Sequence, residues 1–245
     1  SFDYDSFRKL TNSRTYVNPS GDLILKKYYY HSLNSVTSKN RRAVEKVETY
    51  RNGELITTDK VNYSNSWLGI GEPGSHPGTT IFPVYLNVSY LPLTQESAKG
   101  TYNLFVNQRF NRYDGYSRLW ESQQENGMKT VYIWGYRNNQ INAKIENIEY
   151  STIPQSIILD IVRASNTGTE AQLITAQNNL RNHALLAQAM ITTYTYKPLV
   201  GISTVTDVKN QTLYFSYNFH NQLMYVKYND NHILRESEYS YQTQN

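Results

Sequence analysis

The stretch TYTYKPLVGISTVTDVKNQTLYFSYNFHNQL, residues 193–223, contains the same phrase twice. Tyr196 is followed six positions later by Ile202, and Tyr217 six positions later by Leu223. Self-similarity at a fixed period marks a repeat architecture and fixes the fold class before any single motif is read. Searching outward for Tyr-[Asp/Asn/Lys]-x4-[Leu/Ile] gives four copies: YDSFRKL from Tyr4, YDGYSRL from Tyr113, YKPLVGI from Tyr196 and YNFHNQL from Tyr217. The repeat-defining positions are therefore Tyr4, Asp5 and Leu10; Tyr113, Asp114 and Leu119; Tyr196 and Ile202; and Tyr217, Asn218 and Leu223.

Each copy leads into strand-like residues, a turn and a Tyr-rich strand. The turns are NPSGD at 18–22, ENGM at 125–128, DVKN at 207–210 and NDNH at 229–232. The strands after them begin LILKKYYYH, TVYIWGY, TLYFSY and ILRESEYSY. Asp or Asn after the Tyr closes a turn through its side chain, and Gly or Asn tolerates the positive φ of the second turn. Two five-residue strands and two turns give a period near twenty. VETYRNGELITTDKVNY at 47–63 adds a hairpin centred on Asn52-Gly53, a strong two-residue turn signal.

Two segments break the rhythm. Residues 64–83, SNSWLGIGEPGSHPGTTIFP, form a Gly/Pro-rich loop, long for a plain connection. Residues 153–190 read as a helical hairpin. Pro154 suits a first turn, and Ile157, Ile158, Ile161 and Val162 recur at helical spacing. SNTG at 165–168 ends that helix, and Thr169 with Gln172 makes a capping box for the next. Leu173, Ala176, Leu180, Ala184 and Ala187 supply its apolar stripe. The expected fold is mainly β: consecutive antiparallel hairpins forming an extended curved sheet, with a helical hairpin inserted at about 153–190. The expected division is 1–150 (hairpins and the loop), 151–190 (helices) and 191–245 (C-terminal repeats).

Composition agrees with a sheet protein. The chain has 245 residues, 23 Tyr against 7 Phe, and no Cys. Tyr packs well on a pleated surface and keeps its hydroxyl wet, so this bias suits sheets with one watery face. A chain of this length buries roughly 70–75% of its unfolded surface and folds without staples. Disulfides and Cys-ligated metals are excluded. The net charge of +4 and pI near 9.0 fall short of a dedicated nucleic-acid binder. No run of 18 apolar residues provides a membrane span. The opening SFDYDSFRKL has no signal-peptide core and reads as the middle of a folded segment, so the chain is expected to be a piece of something longer or a processed form.

These units resemble the YD-repeat, or Rhs-like, family, whose unit is loosely Tyr-Asp-x-x-Gly-Arg-Leu followed by a turn. YDSFRKL and YDGYSRL match it well. VYIWGYRNNQINAKIENIEY at 131–150 is similar to a segment of large exported YD-repeat proteins of Gram-negative bacteria, where it precedes a helical insertion and a stretch like AMITTYTYKPLVGISTVTD at 189–207. The unit's Gly is replaced by Arg8, Ser117 and Asn221, and Gly201 sits one place late. The resemblance implies a long hairpin ribbon in a secreted or cell-surface scaffold. Its partners would be other segments of a longer parent chain, an enclosed effector, export machinery or surface glycan. Relatives that cut themselves do so near an Asp-Pro motif, which this chain lacks, so self-cleavage is not carried over.

No catalytic constellation emerges, and the expectation is no enzyme and no cofactor. His31, His76, His183, His220 and His232 lack metal-ligand spacing. GIGEPGSHPG at 69–78 has no Gly-Lys-[Ser/Thr], and no nucleophile elbow occurs. Asp3 and Asp5 fit turn roles. Lys39, Arg41, Arg42 and Lys46 read as a solvated strand face, with contact to phosphate or an acidic glycan as the functional alternative. Asn62, Asn87 and Asn210 open formal glycosylation triplets. The remaining candidates are aromatic: Tyr28 with Tyr30, and Tyr132, Trp134 and Tyr136. Alternate residues of a strand share a face, so each set forms a stripe. Such a stripe either stacks on sugar rings in a glycan- or protein-binding module or serves as a cross-strand ladder.

Overall fold

The computed structural model describes residues 1–5, 9–16, 21–30, 43–63, 91–114, 117–228 and 232–239. The fold is mainly antiparallel β with two inserted helices, and the described residues fall into two compact units that meet in the sequence at Gly127/Met128. The Gly/Pro-rich loop at 64–83 lies outside the described residues, as do Lys39, Arg41, Arg42, His31, His76, Asn87, Arg8 and most of the turns at 18–22 and 229–232.

The first unit contains β1 (Phe2–Tyr4), β2 (Leu10–Tyr16), β3 (Leu23–Tyr30), β4 (Val44–Arg51), β5 (Glu54–Tyr63), β6 (Pro92–Lys99), β7 (Phe105–Tyr113) and β8 (Leu119–Gln124). Each pairs antiparallel with its sequence neighbour. The β4–β5 hairpin turns on Asn52 (φ 51°) and Gly53 (φ 89°), the double positive φ that the dipeptide predicts. The strands of this unit mix polar and half-buried apolar residues, and its fully buried apolar residues among those described are Leu91, Ala98, Tyr113 and Trp120. Cross-strand polar contacts add to this small buried set. Glu48 accepts from Lys46, Tyr29 and Tyr50 at 2.8, 2.7 and 2.9 Å. Burial opposes ionisation of Glu48, but these three donors outweigh it and hold the carboxylate at about 2. Lys46 Nζ also lies 4.0 Å from the centre of the Tyr29 ring.

The second unit contains β9 (Lys129–Gly135), β10 (Gln140–Glu146), α1 (Gln155–Thr167), α2 (Glu170–Arg181), β11 (Met190–Lys197), β12 (Gly201–Thr206), β13 (Thr212–Tyr217), β14 (Leu223–Tyr228) and β15 (Ile233–Glu236). The helices occupy the connection between β10 and β11. Pro154 is the N-cap of α1, Gly168 its C-cap, and Thr169 and Gln172 form the expected reciprocal capping box on α2. Ile158, Ile161, Val162, Leu173, Ala176 and Leu180 of the helices meet Val131, Ile133, Ala143, Ile145 and Ile191 of the sheet in one buried core.

The apolar stripe of α2 is shorter than its sequence pattern. The helix stops at Arg181, with Asn182 as C-cap, and a 3-10 turn follows at Ala184–Leu186. Ala184 and Ala187 are consequently exposed, and Leu186 is the buried residue of that turn. The amide of Asn182 returns to the carbonyls of Asn178 and Leu180, which closes the last turn and takes Ala184 and Ala187 off the helical face.

Candidate functional site: a tyrosine ladder

The six-residue spacing is the two sides of a hairpin end. Tyr4 lies opposite Leu10, Tyr113 opposite Leu119, Tyr196 opposite Ile202 and Tyr217 opposite Leu223. Two further pairs obey the same rule without the spacing: Tyr30 opposite Val44 and Tyr63 opposite Pro92. In every one of these pairs the register shifts at the Tyr. An extra residue in an antiparallel pair bends the strand and re-aims the next side chain.

The re-aimed ring points its hydroxyl across to the preceding strand. Tyr30 donates to the Leu10 carbonyl at 2.8 Å, Tyr63 to Val44 at 3.1 Å, and Tyr113 to Pro92 at 2.7 Å. In the second unit Tyr196 donates to Ile141 at 3.2 Å, Tyr217 to Ile202 at 2.9 Å, and Tyr239 to Leu223 at 3.0 Å. The acceptor is always at or next to the opening of an even-numbered strand, and the donor lies at, next to or beyond the end of an odd-numbered one. Helices α1 and α2 separate Ile141 from Tyr196 without breaking this rule.

Burial raises the pKa of the Tyr63, Tyr113, Tyr196 and Tyr217 hydroxyls. It lifts Tyr196 to about 12 and moves Tyr63, Tyr113 and Tyr217 upward. These four remain protonated donors at neutral pH.

The residue after Tyr4, Tyr113 and Tyr217 braces the turn. Asp114 Oδ1 accepts the Arg118 amide at 3.0 Å, and its Oδ2 accepts Arg118 Nε at 2.6 Å. Asn218 Oδ1 accepts the amides of His220 and Gln222 at 2.9 and 3.0 Å. Asp5 Oδ1 accepts the Lys9 amide at 2.8 Å. Ser117 (φ 66°) and Asn221 (φ 62°) stand where the unit would carry Gly, and both are left-handed. In the copy from Tyr196 that conformation falls on Leu199 (φ 62°), an uncommon residue for it.

The predicted aromatic stripes separate into different surroundings. Tyr30 is a ladder residue, and Tyr28 lies opposite Val47 with its hydroxyl 3.5 Å from that of Ser13. Tyr132 and Trp134 are half-buried and alternate with Val131 and Ile133, so they occupy the sheet face away from the helices. Tyr136 leaves that face. Tyr136, Arg137 and Asn138 are all left-handed, and their turn is held by α1: Ser165 Oγ accepts the Tyr136 amide and Asn166 Oδ1 the Arg137 amide. The Tyr136 ring packs on the core and meets Tyr196 edge-on, with centroids 5.3 Å apart. Its hydroxyl accepts the Tyr196 amide at 2.8 Å.

Arg181 is an anchor that the sequence pattern did not reveal. Its guanidinium donates to the carbonyls of Ile191, Thr206 and Asp207 and to Thr193 Oγ1, at 2.7–3.0 Å. It thereby pins α2 to β11 and β12. Burial lowers its pKa, and the charge of Asp207 works against that. Beside it opens a cavity of about 420 Å³ lined by Asn178, Asn182, Asn210 and Val208 among others. Among the described residues no cluster of His, Asp and Glu is placed to hold a metal, and no helix is long and apolar enough to cross a membrane.

No protein-family profile matches the chain, and neither does any curated protein. Solved structures do align. The crystal structure of TcdB2-TccC3-Cdc42 aligns at TM-score 0.38 and 12% identity, covering 92% of this chain and 11% of that one. TcdB2-TccC3 without its hypervariable C-terminal region aligns at TM-score 0.37, with the same identity and coverage. TcdB2-TccC3-TEV aligns at TM-score 0.22 and 9% identity. The chain thus spans 11% of the length of the first two structures it matches.

Proposed function

We propose that the chain is a non-enzymatic scaffold segment of a secreted or cell-surface protein of the YD-repeat kind, encasing or displaying a downstream effector. The observation that carries this reading is the tyrosine ladder. Its hydroxyl bonds join strand ends rather than forming a site, and each adds to the backbone pairing between one strand and the next. Such a design stacks neighbour on neighbour, so the structural unit is the repeat. The few fully buried apolar residues among those described in the first unit fit a thin sheet better than a globular core. Partners in this reading are other segments of the parent chain and the effector.

The test is the intact mass of the protein from its native source, before and after mild proteolysis. A mass far above 28.5 kDa with a protected segment beyond Asn245 is the expected result. A native mass equal to that of this chain overturns the carrier role.

A further inference from the structure

We propose that Asn52 is a modification site: it loses its side-chain amide spontaneously through attack by Gly53, a clamp from β3 delays that loss, and the product releases the β4–β5 turn from β3. In an Asn-Gly pair the chain supplies both reacting groups. The Gly53 nitrogen gives up its proton to solvent base and attacks Asn52 Cγ, and the amide nitrogen leaves as ammonia. Water then opens the cyclic imide at either carbonyl, giving aspartate or isoaspartate. One water is consumed and one ammonia released, with no oxidant, reductant or enzyme. Glycine suits the step because it has no Cβ to hinder its nitrogen. The space beside Gly53 is open, with no atom beyond its chain neighbours within 4 Å of where a Cβ would sit.

Asn52 follows Arg51, the register partner of Ile24, and so falls opposite Leu23. Its backbone N–H donates to the Leu23 carbonyl at 2.9 Å. Its Oδ1 accepts the Leu23 N–H at 2.8 Å, the side chain standing in for a strand carbonyl. Its Nδ2 donates to Asp22 Oδ1 at 2.7 Å, while Arg51 binds Asp22 Oδ2. Both polar atoms of the side-chain amide are thus held against the start of β3. Carrying Cγ to the Gly53 nitrogen breaks these bonds, so conversion proceeds through local opening.

Closing the turn again does not undo the change. Aspartate at position 52 has no N–H for Asp22, and two carboxylates then face each other where a hydrogen bond had been, a repulsive cross-strand pair. Isoaspartate goes further and adds a backbone methylene inside a turn whose length sets the strand register. Each opening of the β4–β5 turn therefore exposes the chain to a permanent mark, and marked molecules hold the join of β3, β4 and β5 less tightly.

The test is peptide mapping by mass spectrometry of the full chain incubated in mildly alkaline buffer, beside the free peptide TYRNGELI, copying residues 49–56. Asn52 should convert about twentyfold more slowly in the chain than in the peptide, the worth of its two side-chain hydrogen bonds. Asp22→Ala should speed conversion about fivefold, the worth of one of them. Asn126-Gly127, the chain's other Asn-Gly pair, should keep its wild-type rate in that variant. Asn52→Asp copies the product and keeps a good hairpin turn, since Asp-Gly serves as well as Asn-Gly. It should lower the melting temperature, and adding Asp22→Asn, which supplies the missing N–H, should restore most of the loss. Equal rates in chain and peptide, an equal rise at Asn126 in Asp22→Ala, no conversion of Asn52 in that variant, or an Asn52→Asp chain that melts like wild type overturns the proposal.

Discussion

The Tyr217 hydroxyl donates to the Ile202 carbonyl at 2.9 Å, while the backbone register partner of Tyr217 is Leu223, on the other side. One residue, through its hydroxyl on one side and its backbone on the other, therefore ties the end of β13 to both of its neighbours. The same relation recurs at Tyr30, Tyr63 and Tyr113, which makes the value of the hydroxyl measurable by deleting it alone.

Tyr217→Phe should cost about 1 kcal/mol, the net value of a part-exposed hydrogen bond, and Tyr113→Phe about 2 kcal/mol. The difference arises because Tyr113 is only 5% exposed, so water cannot replace the lost donor at Pro92. Urea midpoints of the two variants measure this. No loss in either would mean that the rings and not the hydroxyls hold the strand ends, and equal losses would remove the role given to burial.

Gly135→Ala should be strongly destabilising, by about 2–3 kcal/mol. A Cβ there would sit 1.9 Å from Asn142 Nδ2 and 2.2 Å from Ser165 Oγ. Asn142 is fully buried, and neither atom of its amide has a partner. Asn142→Ala removes the nearer obstacle and the unsatisfied amide while Ser165 Oγ stays, so the double variant should lose less than Gly135→Ala alone. A double-mutant cycle by thermal melting tests this, and strict additivity would refute the coupling.

Leu199→Gly should stabilise the chain by about 1 kcal/mol. Leu199 is left-handed and wholly solvent-exposed, so its conformation costs energy that no packing returns. A rise in the melting temperature is the expected reading. A fall would show that the entropy lost by Gly outweighs the relief of strain.

Stability should decline at both ends of the pH scale, for different groups. The Glu48 carboxyl is held at about 2, below its unfolded value of 4.5. Its contribution is therefore present above pH 4.5 and lost as pH falls toward 2. Tyr29, raised to about 12 chiefly by its hydrogen bond to Glu48, and Tyr196, raised to about 12 by burial, act oppositely. Their contributions are complete below pH 10 and lost as pH rises toward 12. Denaturant titrations across pH 2–12 follow both limbs. Glu48→Gln should flatten the acid one, and absorbance at 295 nm should show the late ionisation of Tyr196.

The repeats starting at Tyr4, Tyr113, Tyr196 and Tyr217 were legible because a short turn keeps Tyr and Leu six apart. Those at Tyr30 and Tyr63 were not, because residues 31–43 and 64–91 intervene before Val44 and Pro92. Pairing across a hairpin end depends on where the strands meet, not on how much chain lies between them. The start of α2 was legible because Thr169 and Gln172 are a local signal. Its end was not, since the Ala184 and Ala187 stripe continues past the point where Asn182 caps the helix. Tyr136 left its stripe because Ser165 and Asn166 bind its turn from α1, a tertiary contact invisible in a period of two. Arg181 carried no motif at all. Its four acceptors come from β11, β12 and the residue just after β12, and only the folded chain brings them together.

The register pairs Tyr30/Val44 and Tyr63/Pro92 carry one more meaning. A fastening made between strand ends is blind to the contour length that joins them. A folded insert spliced between Tyr63 and Pro92 would find the same two anchor points, and the neighbouring rungs would not need to be rewritten. The connections from an odd strand to the next even one are thus places where the chain can acquire new parts while the strand pairing on either side stays as it is.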